Sequence, residues 1–274
     1  MKIRVATYNI HKGVSSLGSR PRVHALKQAI SAFDAQMIFL QEVQGRHDKH
    51  TATYGAHRSG AGKHWPAEAQ HEFLAGDSHH SAYGLNAAYD HGHHGNALLS
   101  SFPIDHHSNR DVSDHAYEKR GILHCVVKAD DDTDIHCYVV HLGLFSSSRG
   151  RQTEALIRAV TETAPPDAPV IIAGDFNDWR NELSDTLRQA LGVIEVFDER
   201  RAPTGRLGQM WRRVGGGQGE PRLKPARTFP AALPCLPLDR IYVRGFTVEH
   251  AQVMHGPRWA KLSDHAPVVA SLIR

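Results

Sequence analysis

Eight short runs of apolar and β-branched residues recur along the chain and end in polar groups. They are Ile3–Tyr8, Met37–Leu40, Ala97–Ser101, Ile122–Lys128, Ile135–Val140, Val170–Ala173, Arg240–Val243 and Val268–Ile273. Each is too short for a helix that buries a face and long enough for a strand. Helical spacing appears between some of them. Pro21 opens one such stretch, with Val23, Leu26, Ile30 and Phe33 behind it. A second runs from about Gly150 to Thr163 and a third from about Asn181 to Leu191. Strands interleaved with a few helices predict an α/β or α+β domain. No repeat and no long linker divides the chain, so residues 1–274 are expected to form a single domain. Loop-rich insertions are expected at about 44–95 and 200–235.

Composition narrows the class. The 274 residues are 41% hydrophobic and 22% charged, which excludes a disordered chain or a fibrous repeat. No apolar run approaches a membrane span. Cys125, Cys137 and Cys235 are odd in number and far apart, so neither a disulfide scaffold nor a zinc knuckle is expected. Arg4 interrupts the place where a signal peptide needs its apolar stretch. A cytoplasmic setting is the expectation, with no obligate protein partner.

Chemistry gathers where the runs stop. Ile3–Tyr8 ends in Asn9, Met37–Leu40 in Gln41-Glu42, and Ile135–Val140 in His141. Val170–Ala173 enters Gly174-Asp175-Phe176-Asn177, Leu238 leads to Asp239-Arg240, and Ser263-Asp264-His265 precedes the last run. Loops at strand ends are where layered α/β proteins build sites. Glu42, Asp175, Asp239 and Asp264 sit beside apolar runs, where an unpaired charge is costly. A hard divalent cation with oxygen ligands relieves that cost and neutralises charge on a phosphoryl group. No phosphate-cradling loop and no nucleophilic-serine turn is present.

Seven segments appear in the order of the endonuclease/exonuclease/phosphatase superfamily. They are Thr7-Tyr8-Asn9-Ile10-His11, Leu40-Gln41-Glu42-Val43, Gly95-Asn96-Ala97-Leu98-Leu99-Ser100, His141-Leu142, Gly174-Asp175-Phe176-Asn177, Leu238-Asp239-Arg240-Ile241 and Ser263-Asp264-His265-Ala266-Pro267. The chain resembles DNase I-like members of that group from Thr7 to Pro267. The resemblance implies a four-layer α/β sandwich, two packed mixed β-sheets flanked by helices. It implies Glu42 as the main metal carboxylate, with Asn9 and Asp264, holding Mg²⁺ or Mn²⁺. Asp175 would orient or deprotonate a water, Asn177 would hold a phosphate oxygen, and Asp239 would orient His265. His265 and His141 would stabilise the scissile phosphate, and Asn96 would contact substrate. The implied reaction is in-line hydrolysis of a phosphodiester, with a nuclease acting on DNA or RNA as the leading expectation. A phospholipid-headgroup or other phosphoester hydrolase is the first alternative. A non-catalytic binding protein that keeps the fold is the second.

Two features lie outside that set. Residues 200–227 carry eight basic side chains against Glu220, a charge of +7 within a chain of net charge +3. This segment is a candidate contact for nucleic acid or for an anionic headgroup. Of the 21 histidines, His79-His80, His91-His93-His94 and His106-His107 form clusters. They are read as solvated loops rather than transition-metal ligands. Trp65 and Trp211 are expected to anchor long loops to the core.

Overall fold

The computed structural model describes residues 1–15, 20–55, 64–115, 117–129, 133–198 and 225–274. Two six-stranded mixed sheets pack face to face. The first, in the order β11-β12-β1-β2-β4-β3, is built from β1 (Lys2–Asn9), β2 (Met37–His47), β3 (His80–Tyr89), β4 (Gly92–Ser100), β11 (Thr247–Val253) and β12 (Val268–Ile273). The second runs β5-β6-β7-β8-β10-β9, from β5 (Ile104–Asp111), β6 (Gly121–Lys128), β7 (Asp134–His141), β8 (Val170–Asp175), β9 (Ile194–Glu195) and β10 (Asp239–Arg244).

Both sheets share one pairing pattern. Each has a single parallel pair, β1 with β2 and β7 with β8, and every other neighbour is antiparallel. A helix crosses over between the members of each parallel pair, α1 (Val23–Ile30) in one and α4 (Ser146–Thr163) in the other. Parallel strands need such a crossover, and their C-terminal ends then lie side by side.

The period-2 alternation of the strands splits the core into three layers. Ile3, Val5, Met37, Phe39, Leu123, Val139, Ile171 and Ile241 fill the space between the sheets. Ala6, Tyr8, Ile38 and Leu40 face outward onto Leu26 and Ile30 of α1, and onto Trp259 of the short helix Pro257–Ala260. Tyr138, Val140, Val170 and Ile172 face Leu156 and Val160 of α4, with Leu187 and Leu191 of the helix Ser184–Leu191.

The stretch 44–95 is more regular than its polar composition predicts. It carries the end of β2, the helices Asp48–Tyr54 and Gln70–Ala75, all of β3 and the start of β4. Trp65 is buried, its ring 4.5 Å from that of His50, and so anchors its segment as expected. Five of the clustered histidines stand on strands rather than in loops, His80 on β3, His93 and His94 on β4, and His106 and His107 on β5, while His79 and His91 lie in the connections just ahead of β3 and β4. One of them has a partner across the strand pair, for the Tyr83 hydroxyl lies 3.0 Å from His93 Nδ1. Residues 200–224 of the basic segment, and Trp211, lie outside the described residues.

Candidate active site

The second sheet sets three polar groups on one rung. His141 is the register partner of Asp175 across the parallel pair β7 and β8. Asp175 is in turn the partner of Asp239 across β8 and β10. Asp239 begins its strand, yet the antiparallel pairing brings it beside the C-terminal ends of the other two. Gly174 allows the close approach. Its φ is +153°, and a Cβ there would meet the Val140 carbonyl oxygen at 1.9 Å. Any side chain would push the strand bearing Asp175 away from β7.

The first sheet completes the cluster across the sandwich. Asn9, at the end of β1, donates from Nδ2 to Asp175 Oδ2 at 3.2 Å. His265, just ahead of β12, bonds Asp239 Oδ2 through Nδ1 at 2.8 Å and turns Nε2 to within 3.7 Å of Asp175 Oδ2. His141 Nε2 lies 3.5 Å from that same oxygen. Ser263 fixes the turn by donating from Oγ to the Asn9 carbonyl at 2.7 Å and accepting from His265 N–H. All five of Asn9, His141, Asp175, Asp239 and His265 are buried.

Their charges depend on one another. Burial would push the His265 imidazole down, but Asp239 and Asp175 override it and hold His265 well above its ordinary value, as a cation. Burial raises the Asp175 carboxyl, against the opposing pull of His265. Burial and the nearby Arg120 keep His141 neutral. The cluster thus sets two carboxyl groups around one imidazolium, beside a neutral imidazole.

Glu42 and Asp264 flank this centre. Glu42 lies in an irregularity of the β2–β4 pairing between Leu40 and Val43, at φ +56°, half-buried, with Lys12 Nζ at 4.0 Å. Asp264 Oδ1 meets His11 Nδ1 at 3.2 Å, a contact that raises the His11 imidazole. His11 and Lys12 belong to the site though no role was expected of them. They lie two and three residues beyond Asn9, and their positive φ marks them in the structure, a feature the sequence does not display.

Asn96 and Asn177, expected as substrate contacts, both make bonds that hold the framework. Asn96 is wholly buried, and its Nδ2 donates to the Gly121 and Val139 carbonyls, at 2.9 and 3.3 Å. It staples β4 to the opposite sheet, and its Oδ1 is sealed from solvent. Asn177, at φ +49°, donates from Nδ2 to the Leu142 carbonyl at 2.8 Å, and its N–H bonds Asp175 Oδ1 at 3.0 Å. It braces the loops after β7 and β8.

The pattern of the Endonuclease/Exonuclease/phosphatase family matches residues 6–265. The chain belongs to that family. Its members hydrolyse phosphoesters and generally depend on a divalent metal, so the chain is a hydrolase of that type. The uncharacterised protein YbhP of Escherichia coli (strain K12) is 39% identical over 272 residues, 98% of this chain and 95% of its own. A functionally unknown conserved protein from Enterococcus faecalis V583 superposes with a TM-score of 0.70 at 17% identity, over 99% of each chain. The mannosyl-6-phosphatase Bt3783 of Bacteroides thetaiotaomicron gives 0.66 at 15%, over 99% of this chain and all of its own. These two structures share the DNase I-like four-layer fold.

The donors present fit a hard cation. Asp239 Oδ1 is buried with no hydrogen-bond partner among the described residues, and Glu42 holds a carboxylate at the site with Lys12 Nζ 4.0 Å away. Asp175, Asp239 and His265 place ligand-type atoms within 4.8 Å of one another, the one such group among the described residues. A protonated His265 has no lone pair to give a metal, so carboxylates and amides are the better donors. The histidine clusters assemble no group of that kind among the described residues.

Proposed function

We propose that the protein is a divalent-metal-dependent phosphodiester hydrolase, with nucleic acid, DNA or RNA, as its substrate class. The observation that carries this is Asp175 Oδ2. It is approached by Asn9 and His265 from the first sheet and by His141 from the second. Such a buried, hydrogen-bonded carboxylate is placed to orient a water and take its proton. Glu42, with Asn9 and Asp264, would hold Mg²⁺ or Mn²⁺. The chemistry that a bound cation supplies here is neutralisation of charge on the phosphoryl group.

The chain's own groups do the rest. His265, fixed by Asp239, presents a donor to a non-bridging phosphate oxygen and stabilises the charge that develops there. Neutral His141 donates to a second oxygen. Positioning and electrostatics suffice, with no covalent intermediate. The basic segment 200–227 supports a polyanionic substrate. No described helix is long and apolar enough to cross a membrane.

The test is a substrate screen with Mg²⁺, Mn²⁺ or EDTA. It covers single- and double-stranded DNA, RNA, bis-p-nitrophenyl phosphate, p-nitrophenyl phosphate and phospholipids. Metal-dependent cleavage of diesters, nucleic acid among them, is expected. Cleavage confined to monoesters or to lipid headgroups would replace the nuclease reading. No metal-dependent turnover on any substrate would leave a binding protein.

A further inference from the structure

The loops that leave β7 and β8 carry large apolar side chains that the hydrolytic chemistry does not use. Leu144 is 53% exposed, Phe145 64% and Trp179 40%. Trp179 lies two residues beyond Asn177, within ~7 Å of chain, and Phe145 lies four beyond His141, within ~14 Å. The loops are stitched together at their roots. Leu142 N–H donates to the Asp175 carbonyl at 2.8 Å, and Asn177 Nδ2 donates to the Leu142 carbonyl.

Arg149, in the first turn of α4, joins the same loops from below. Its guanidinium carbon lies 4.6 Å from the Trp179 ring centroid, and Nη1 donates to the Leu144 carbonyl at 2.5 Å. Arg149 is 1% exposed, and no carboxylate pairs with it among the described residues. A buried guanidinium without a counter-ion is costly. Here its planar, delocalised charge is set against an aromatic face, an arrangement lysine cannot reproduce. One face of Trp179 is thereby covered and the ring held, while the exposed remainder of the indole faces solvent.

We propose that Trp179, backed by Arg149 and flanked by Phe145, is a stacking platform for an unpaired nucleobase next to the scissile phosphate. Single-stranded nucleic acid is therefore the substrate form. This rests on the phosphodiesterase reading above. The surroundings favour a base over an acyl chain. Exposed Ser146 and Ser147 follow Phe145, and exposed Arg180 follows Trp179, so polar groups break up the apolar area. A base needs only an open aromatic face with cations nearby, and stacking tolerates any base. A base inside a duplex has no free face to offer.

The test separates binding from turnover. Fluorescein-labelled single-stranded oligonucleotides, DNA and RNA, are titrated with the full chain in EDTA and read by anisotropy. Trp179→Ala is expected to weaken binding about tenfold, within the range of one lost base stack. Trp179→Phe is expected to stay within about threefold of wild type by keeping an aromatic face. Ile273→Ala, an exposed apolar residue at the far end of β12, serves as the control and should bind as wild type. With Mg²⁺, the Trp179→Ala loss should appear in KM rather than kcat. The platform is overturned if wild type binds no oligonucleotide, or if Trp179→Ala binds as wild type. It is equally overturned by Trp179-dependent binding of the matching duplex at the same affinity, or by a Trp179→Ala defect confined to anionic phospholipid vesicles. Trp179-dependent binding without hydrolysis of any diester would support the platform while removing the phosphodiesterase reading.

Discussion

Glu42 keeps a left-handed backbone in the middle of a strand, a conformation that costs a non-glycine residue about 1–3 kcal/mol. His11, Lys12 and Asn177 share it, so most of the non-glycine residues with positive φ border this one site. The strain is tolerable only if the carboxylate it aims has a use. Glu42→Gly should therefore be neutral to about 1 kcal/mol more stable in denaturant titration, because glycine adopts that φ freely. The same change should lower metal-dependent turnover by more than about a hundredfold, on the scale of lost electrostatic stabilisation. A destabilised but active Glu42→Gly variant would contradict the role given to Glu42. Asp175, Asp239 and His265 are legible in the sequence because each abuts an apolar run, Asp175 at its end and the other two at or ahead of its start, where an unpaired charge rarely serves a core. Arg149 and the stapling role of Asn96 were not, since both depend on which loops and sheets face each other.

At the scale of elements, the eight apolar runs are the eight interior strands, β1, β2, β4, β6, β7, β8, β10 and β12. The strands the sequence did not announce are β3, β5, β9 and β11, and these are the four sheet edges. An interior strand is covered on both faces and reads as apolar. An edge strand needs no such content and often carries polar residues that discourage further pairing. In β5, Ile104 is followed by Asp105, His106, His107, Ser108, Asn109, Arg110 and Asp111, all of them exposed. The third helix begins at Ser184 instead of about Asn181, because Asn181 takes positive φ and Asp178 caps the Glu182 and Leu183 N–H groups. Arg240 ties that turn to β10. It is wholly buried, with Nη1 donating to Asn181 Oδ1 at 2.7 Å and Nη2 to the Asp178 carbonyl at 2.9 Å. Arg240→Ala should cost about 3–5 kcal/mol, and Arg240→Lys most of that, since an ammonium cannot span the same acceptors. A lysine variant as stable as wild type in urea would refute the account of this turn.

Across the whole molecule, the histidine surplus becomes a stability term. Burial, with neighbouring histidines or cations adding to it, pushes His50, His94 and His124 down to about 4, and lowers His24, His47, His71 and His136 too. The unfolded chain takes up these protons near pH 6.5 and the folded one only at lower pH. Their contribution is complete above about 6.5 and drains away as pH falls toward about 4, by at most about 1.4 kcal/mol per unit for each histidine. Urea midpoints should fall steeply between pH 6.5 and 4.5, and His124→Phe should flatten that slope. A midpoint independent of pH over the interval would refute it.

Two sheets bring Asn9, His141, Asp175, Asp239 and His265 into one cluster, and the proposed hydrolytic centre takes its cation at Glu42. Its most direct test is bis-p-nitrophenyl phosphate hydrolysis by wild type and His265→Ala at saturating Mg²⁺ or Mn²⁺, with circular dichroism confirming the fold. The expected result is turnover that EDTA abolishes and that His265→Ala lowers by about a thousandfold. Near-normal hydrolysis by a folded His265→Ala variant, or wild-type turnover that survives EDTA, would contradict it.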